Sequence, residues 1–122
     1  MHIDKDLVAA SATPLVLGIL ADGESWGYAI LRRVGELSAG QLTWTDGMLY
    51  PLLHRLERQG LVEAHWREAT NGRRRRHYAI TAEGRAALAE RRRQWEVVSE
   101  ALDALRRQAL PPVVGEAGTV LA

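Results

Sequence analysis

Four consecutive arginines, Arg73, Arg74, Arg75 and Arg76, follow the turn signal Asn71-Gly72. Guanidinium is a planar, permanently charged fork whose N–H groups match phosphate and carboxylate oxygens, so such a run is a candidate anion-binding strip. From Arg67 to Arg76 five arginines stand against Glu68, a local net charge of +4. If four of them each neutralised one phosphate of a nucleic-acid duplex, log K would fall with log salt with a slope of roughly −3.6 per chain. A solvated surface turn is the plainer role for charged residues, but four arginines in a row exceed what such a turn needs. For Arg76, next to the strand, a place along Trp66 is the alternative.

A second candidate group lies upstream. Thr45, Asp46, Gly47, Tyr50, His54 and Arg55 fall on or near one side of a helix whose other side carries Leu49, Leu52, Leu53 and Leu56. Tyr50 offers a ring and a hydroxyl to a ligand, or packs on a neighbouring element. The helix N-terminus, with its free N–H groups, suits phosphate. Asp46 there is equally a plain dipole partner, and like charge opposes its touching phosphate. Arg55 can pair with a carboxylate or with an anion. Other chemistries find little support. With no Cys, thiol catalysis, disulfides and zinc knuckles are excluded. The four histidines lack metal-site spacing, although His65 and His77 would meet across a hairpin. Nothing resembles a nucleophile elbow, a P-loop or a dinucleotide fingerprint, so neither an enzyme nor a cofactor is expected.

The elements that must position these residues can be read from spacing. Leu7 to Ala21 reads as helix, with Pro14 either starting a new helix at Thr13 or kinking a longer one. After Asp22-Gly23, Ser25 can cap a second helix carrying Ile30, Leu31, Val34 and Leu37 and ending near Gly40. Gln41 to Thr43 is a short strand or a turn. Thr45 caps a third helix running to Gln59 and closed by Gly60, with Pro51 inside it removing one N–H. Leu61–Trp66 and His77–Ile80 pair as strands with Val62 facing Ile80, Ala64 facing Tyr78 and Trp66 facing Arg76. The polar stretch from Arg67 to Arg75 is expected to project as a loop. Thr81 caps a long final helix in which Leu88, Trp95, Leu102 and Ala109 recur every seven residues, with Val98 and Leu105 between. Pro111-Pro112 ends it. The fold class expected is mainly α with a two-stranded wing: a winged helix-turn-helix over residues 1–80, a C-terminal dimerisation helix over 81–110 and a flexible tail over 111–122.

The third helix is then the recognition helix, which fits the major groove of double-stranded DNA, where base edges are distinguishable. The basic wing reaches the backbone. The 122 residues carry 16 Lys and Arg against 15 Asp and Glu, formally +1. That average conceals the wing. Fifteen of the cations are arginine and one is Lys5. No apolar run approaches the roughly 18 residues of a membrane span, and the N-terminus lacks a signal-peptide pattern, so a cytoplasmic protein without membrane contact is expected.

Three segments carry a family resemblance. The stretch Asp46-Gly47-Met48-Leu49-Tyr50-Pro51-Leu52-Leu53-His54-Arg55-Leu56-Glu57-Arg58-Gln59-Gly60-Leu61 resembles the signature of the PadR family of bacterial transcriptional regulators. So do Gly27-Tyr28-Ala29-Ile30 and the run Gly72 to Gly84. The likeness covers about residues 7 to 105, and the single final helix is similar to the shorter subfamily. Trp26 and His77 depart from the family's usual residues. The resemblance implies a homodimeric, usually repressing, promoter-binding protein, with the Tyr50-Pro51 helix in the major groove and the wing on the backbone. It also implies a role for Trp95, with Leu88, Val98, Leu102 and Leu105, as dimer core, as the wall of a site for a small planar hydrophobic or phenolic effector, or as both. The alternative from another class is a winged-helix module that binds protein and not DNA.

Overall fold

The computed structural model describes residues 1–109, 113–114 and 120–121. It resolves into two compact units, residues 1–90 and 91–122. The elements in chain order are α1 (Lys5–Ala21), β1 (Ser25–Trp26), α2 (Gly27–Leu37), α3 (Asp46–Arg58), β2 (Val62–Glu68), β3 (Arg74–Ile80), α4 (Ala82–Ala109), β4 (Val113–Val114) and β5 (Val120–Leu121). This is a winged helix-turn-helix followed by a long C-terminal helix, as expected from the pattern.

In the first unit each helix turns one apolar stripe inward. Ala12, Val16, Leu17 and Leu20 of α1, Ile30 and Val34 of α2, and Leu49, Leu52, Leu53 and Leu56 of α3 are buried. Trp44, Val62, Tyr78 and Leu88 complete the core. Burying each leucine side chain contributes about 1.5–3 kcal/mol, so this core supplies most of the unit's stability. Pro14 does not divide α1, which starts two residues earlier than its apolar pattern and is capped by Asp4, whose side chain accepts from the Asp6 N–H at 2.8 Å. Buried residues on both sides of Pro14 hold the helix together across the missing N–H.

α3 matches its expected limits. The Thr45 hydroxyl accepts from the Met48 N–H at 3.3 Å, and Gly60, at φ +75°, lets the Leu61 N–H bond back to the Leu56 carbonyl at 2.9 Å. The turn before it contains no strand. There the Ser38 hydroxyl oxygen accepts from the Leu42 N–H at 2.9 Å and donates to the Val34 carbonyl at 2.9 Å, tying the turn to the end of α2. Thr81 joins the end of α3 to the start of α4: its hydroxyl donates to the Gly60 carbonyl at 2.6 Å and accepts from the Gly84 N–H at 3.0 Å.

The sheet departs from expectation in two ways. Ser25 does not cap α2. It pairs with Tyr78, and Trp26 with His77, so β1 adds a third strand in the order β1-β3-β2. α2 therefore begins at Gly27, without a side-chain cap. The register Val62–Ile80, Ala64–Tyr78 and Trp66–Arg76 is as expected, but the ladder continues through Arg67–Arg75 to Glu68–Arg74. The projecting loop thus shrinks to residues 69–73. It is closed by the Ala69 N–H bonding to the Arg73 carbonyl at 2.7 Å, with Gly72 at φ +81°.

In the second unit the residues of α4 from Arg91 onward carry exposed apolar side chains: Trp95, Val97, Val98, Leu102 and Leu105. β4 and β5 pair antiparallel, Val113 with Leu121 and Val114 with Val120. The rest of the expected flexible tail lies outside the described residues. No helix among the described residues is long and apolar enough to cross a membrane.

Candidate nucleic-acid interface

The leucine stripe of α3 fixes which side faces outward. Thr45, Asp46, Gly47, Tyr50, Pro51, His54 and Arg55 are all exposed on it or at its N-terminal cap. Tyr50 is the most constrained of them. Its side chain leans on the start of α2, where Gly27 is buried: a Cβ at Gly27 would lie 2.8 Å from the ring carbon Cζ and closer still to the hydroxyl. Tyr50 nonetheless keeps 39% of its surface exposed. Arg55 finds no carboxylate among the described residues; its guanidinium donates to the Thr13 hydroxyl of α1 at 3.4 Å.

The wing arginines divide by strand face. Residues directly opposite in an antiparallel pair share a face. One face carries Val62, Ala64, Tyr78 and Ile80 toward the core and continues outward through Trp66, Arg76, Glu68 and Arg74. Arg76 turns back to α3 and donates to both Glu57 carboxylate oxygens, at 2.8 and 3.0 Å, with its guanidinium also 5.7 Å from the Trp66 ring. Arg74 lies 5.0 Å from the same ring. The opposite face carries Arg67, Arg75, His65 and His77, and β1 adds Trp26 beside His77. Arg75 stacks 4.0 Å over Trp26, whose ring also neighbours Tyr28 at 5.6 Å and His77 at 6.4 Å. Stacking on an aromatic face holds a guanidinium in place while leaving its outer N–H groups for an anion.

Of the five wing arginines, then, two are committed to carboxylates. Arg76 binds Glu57, and Arg67 binds Glu24 of the α1–β1 turn at 2.8 and 2.9 Å. Hydrogen bonds from Arg67 hold the Glu24 carboxyl below the usual glutamate range. They outweigh the opposing effect of desolvation, and the charges of Arg67, His77 and His65 act in the same direction as those bonds. Burial pushes the Tyr78 phenol up, against the lowering effect of the Arg76 charge. Arg73, Arg74 and Arg75 have no carboxylate partner among the described residues. Arg73 sits at the turn itself, where its own N–H donates to the Asn71 side chain at 3.1 Å.

Spacing had pointed to α3 and to the arginine run, and both are in place. It counted Arg67 only within the charge of the wing, and it missed Glu24, Glu57 and the stacking of Trp26 with Arg75 and His77. Extending the hairpin register by one pair would have found Arg67 opposite Arg75. The carboxylate partners come from elsewhere in the chain and leave no local signal. His65 and His77 do face each other across the hairpin, but no group of three potential metal ligands exists among the described residues.

Residues 16–90, from the middle of α1 into α4, match the model of the transcriptional regulator PadR-like family. The chain belongs to that PadR-like family. Among its relatives, a transcriptional regulator of Mycobacterium tuberculosis is 41% identical over 95 residues, 78% of this chain and 78% of that protein. A transcriptional regulator of Escherichia coli is 32% identical over 90 residues, 74% of this chain but only 42% of its own length. Among solved structures, a PadR family transcriptional regulator from Eggerthella lenta superposes with a TM-score of 0.72 at 30% identity, covering 82% of this chain and 85% of that one. A transcriptional regulator from Clostridium thermocellum gives 0.75 at 25% identity, covering 82% and 97%. The PadR-like assignment rests on the part of the chain that holds α3 and the whole wing.

Proposed function

We propose that this PadR-like regulator binds promoter DNA as a homodimer, places α3 in the major groove and the wing on the sugar–phosphate backbone, and acts as a repressor. The observation that carries the reading is the division of the wing arginines. Two of the five are neutralised within the protein, while Arg73, Arg74 and Arg75 have no carboxylate partner among the described residues and stand beside a helix with a polar outward face. These three arginines supply sequence-independent attraction to phosphate; His54, Tyr50 and the α3 N-terminus supply discrimination.

The exposed Trp95, Val98, Leu102 and Leu105 on α4 favour pairing with a second copy, since an exposed apolar stripe at heptad spacing is stabilised by a like partner. A dimer would carry its two α3 helices about one DNA turn apart, roughly 34 Å, and would suit a pseudo-palindromic operator. Trp95, 45% exposed, is the residue against which a planar hydrophobic or phenolic effector would stack at that dimer interface and release the DNA.

A competition gel shift tests the reading. The duplex upstream of the protein's own gene should be retained against unrelated duplex, and His54→Ala should change that preference more than it changes binding to unrelated DNA. Failure to shift any duplex at low salt would leave only a protein-binding winged-helix module.

A further inference from the structure

We propose that Arg67 is a further phosphate-binding residue of the wing, held in reserve by Glu24, whose carboxylate occupies the guanidinium fork until a DNA phosphate takes its place. This rests on the DNA-binding reading above and adds to it a residue and an intramolecular competitor.

The register provides the first argument. Arg67 stands directly opposite Arg75 on the face of the hairpin that carries no core residue. Two like charges in that arrangement repel, so an anion between or beside them is stabilising. In the free protein Glu24 is that anion for Arg67. The geometry of the pair provides the second. Arg67 donates through Nε and an Nη to the two oxygens of one carboxylate, at 2.8 and 2.9 Å, which is the same two-pronged match that a phosphate offers. His77 Nδ1 lies 3.6 Å from the same carboxylate, so Glu24 of the α1–β1 turn reaches the hairpin between Arg67 and His77.

Exposure decides that this pair can exchange. The Arg67 side chain is 57% exposed against 27% for Glu24, and a pair whose cation is largely in solvent contributes little, so replacing Glu24 by an anion of higher charge is favourable. The Arg76–Glu57 pair is different. Its arginine is only 38% exposed, and Arg76 Nε is buried without a partner. That pair fastens the wing to α3, whereas the Arg67–Glu24 pair screens a phosphate site.

The test measures binding of a labelled random-sequence duplex across a salt series. The proteins are the full chain and its Glu24→Gln, Arg67→Ala and Glu24→Gln/Arg67→Ala variants. Glu24→Gln should bind about two- to fivefold more tightly, and Arg67→Ala should flatten the log K–log salt slope by roughly 0.9 per protomer. The double variant should lose that gain and match Arg67→Ala. A second readout needs no substitution: on addition of duplex to the unaltered protein, the Arg67 Nε–H resonance should move and the Glu24 carboxyl carbon should shift toward a free carboxylate. If Glu24→Gln binds no better, or if its gain survives in the double variant, Arg67 is a strut and the proposal is overturned. If the unaltered protein binds no duplex at low salt, the DNA-binding reading fails, and this proposal with it.

Discussion

At the scale of single residues, the two carboxylates opposite the wing govern how its charge is used. Because Glu24 has its carboxyl lowered chiefly by hydrogen bonds from Arg67, its ion pair is present at and above the ordinary glutamate range. The contribution is lost only as pH falls through the depressed folded value. An NMR titration should therefore place the Glu24 midpoint below that of an unperturbed glutamate, and Arg67→Ala should move it up. An unmoved midpoint would mean the pair does not form in solution. Gly27 makes a second claim at this scale. Its backbone angle is ordinary; what it lacks is room, because the Tyr50 ring lies against it. Gly27→Ala should cost about 1–3 kcal/mol by thermal unfolding. Adding Tyr50→Leu should restore most of it, and no recovery would show that the ring is not what limits the site. Neither contact was legible in the sequence, since partners 43 and 23 positions apart leave no periodic trace.

At the scale of elements, legibility followed pattern length. α3 was readable because a cap, a leucine stripe and a closing glycine agree, and its observed limits are Asp46–Arg58. The hairpin register was readable because Val62, Ala64, Tyr78 and Ile80 alternate with polar residues. β1 was not. Two residues make no alternation, and a serine ahead of an apolar helix imitates an N-cap, so Ser25 looked like a cap when it pairs with Tyr78. The wing loop was overestimated because its strand ends are arginine and glutamate, whose types do not suggest a strand, although the ladder reaches Glu68–Arg74. For α4 the proposal is specific to one stripe. Leu102→Glu with Leu105→Glu should turn a dimer into a monomer by light scattering at micromolar concentration, with helix content unchanged. A dimer that survives both substitutions would place the interface elsewhere.

At the scale of the whole molecule, a formal charge of +1 says little about what the surface can bind. Charge is sorted locally: two wing arginines are matched by carboxylates, and three have no carboxylate partner among the described residues. This sorting makes a salt-dependence measurement the most direct test of the central claim, that the wing binds DNA through these three arginines. Log K for duplex DNA should fall with log salt with a slope of at least about −5 for a dimer, from three arginines per protomer. Arg73→Ala with Arg74→Ala should flatten it by roughly 3.6 and weaken binding to every sequence alike. A slope that is the same in the doubly substituted protein, or a change of sequence preference without a change of slope, would contradict the account.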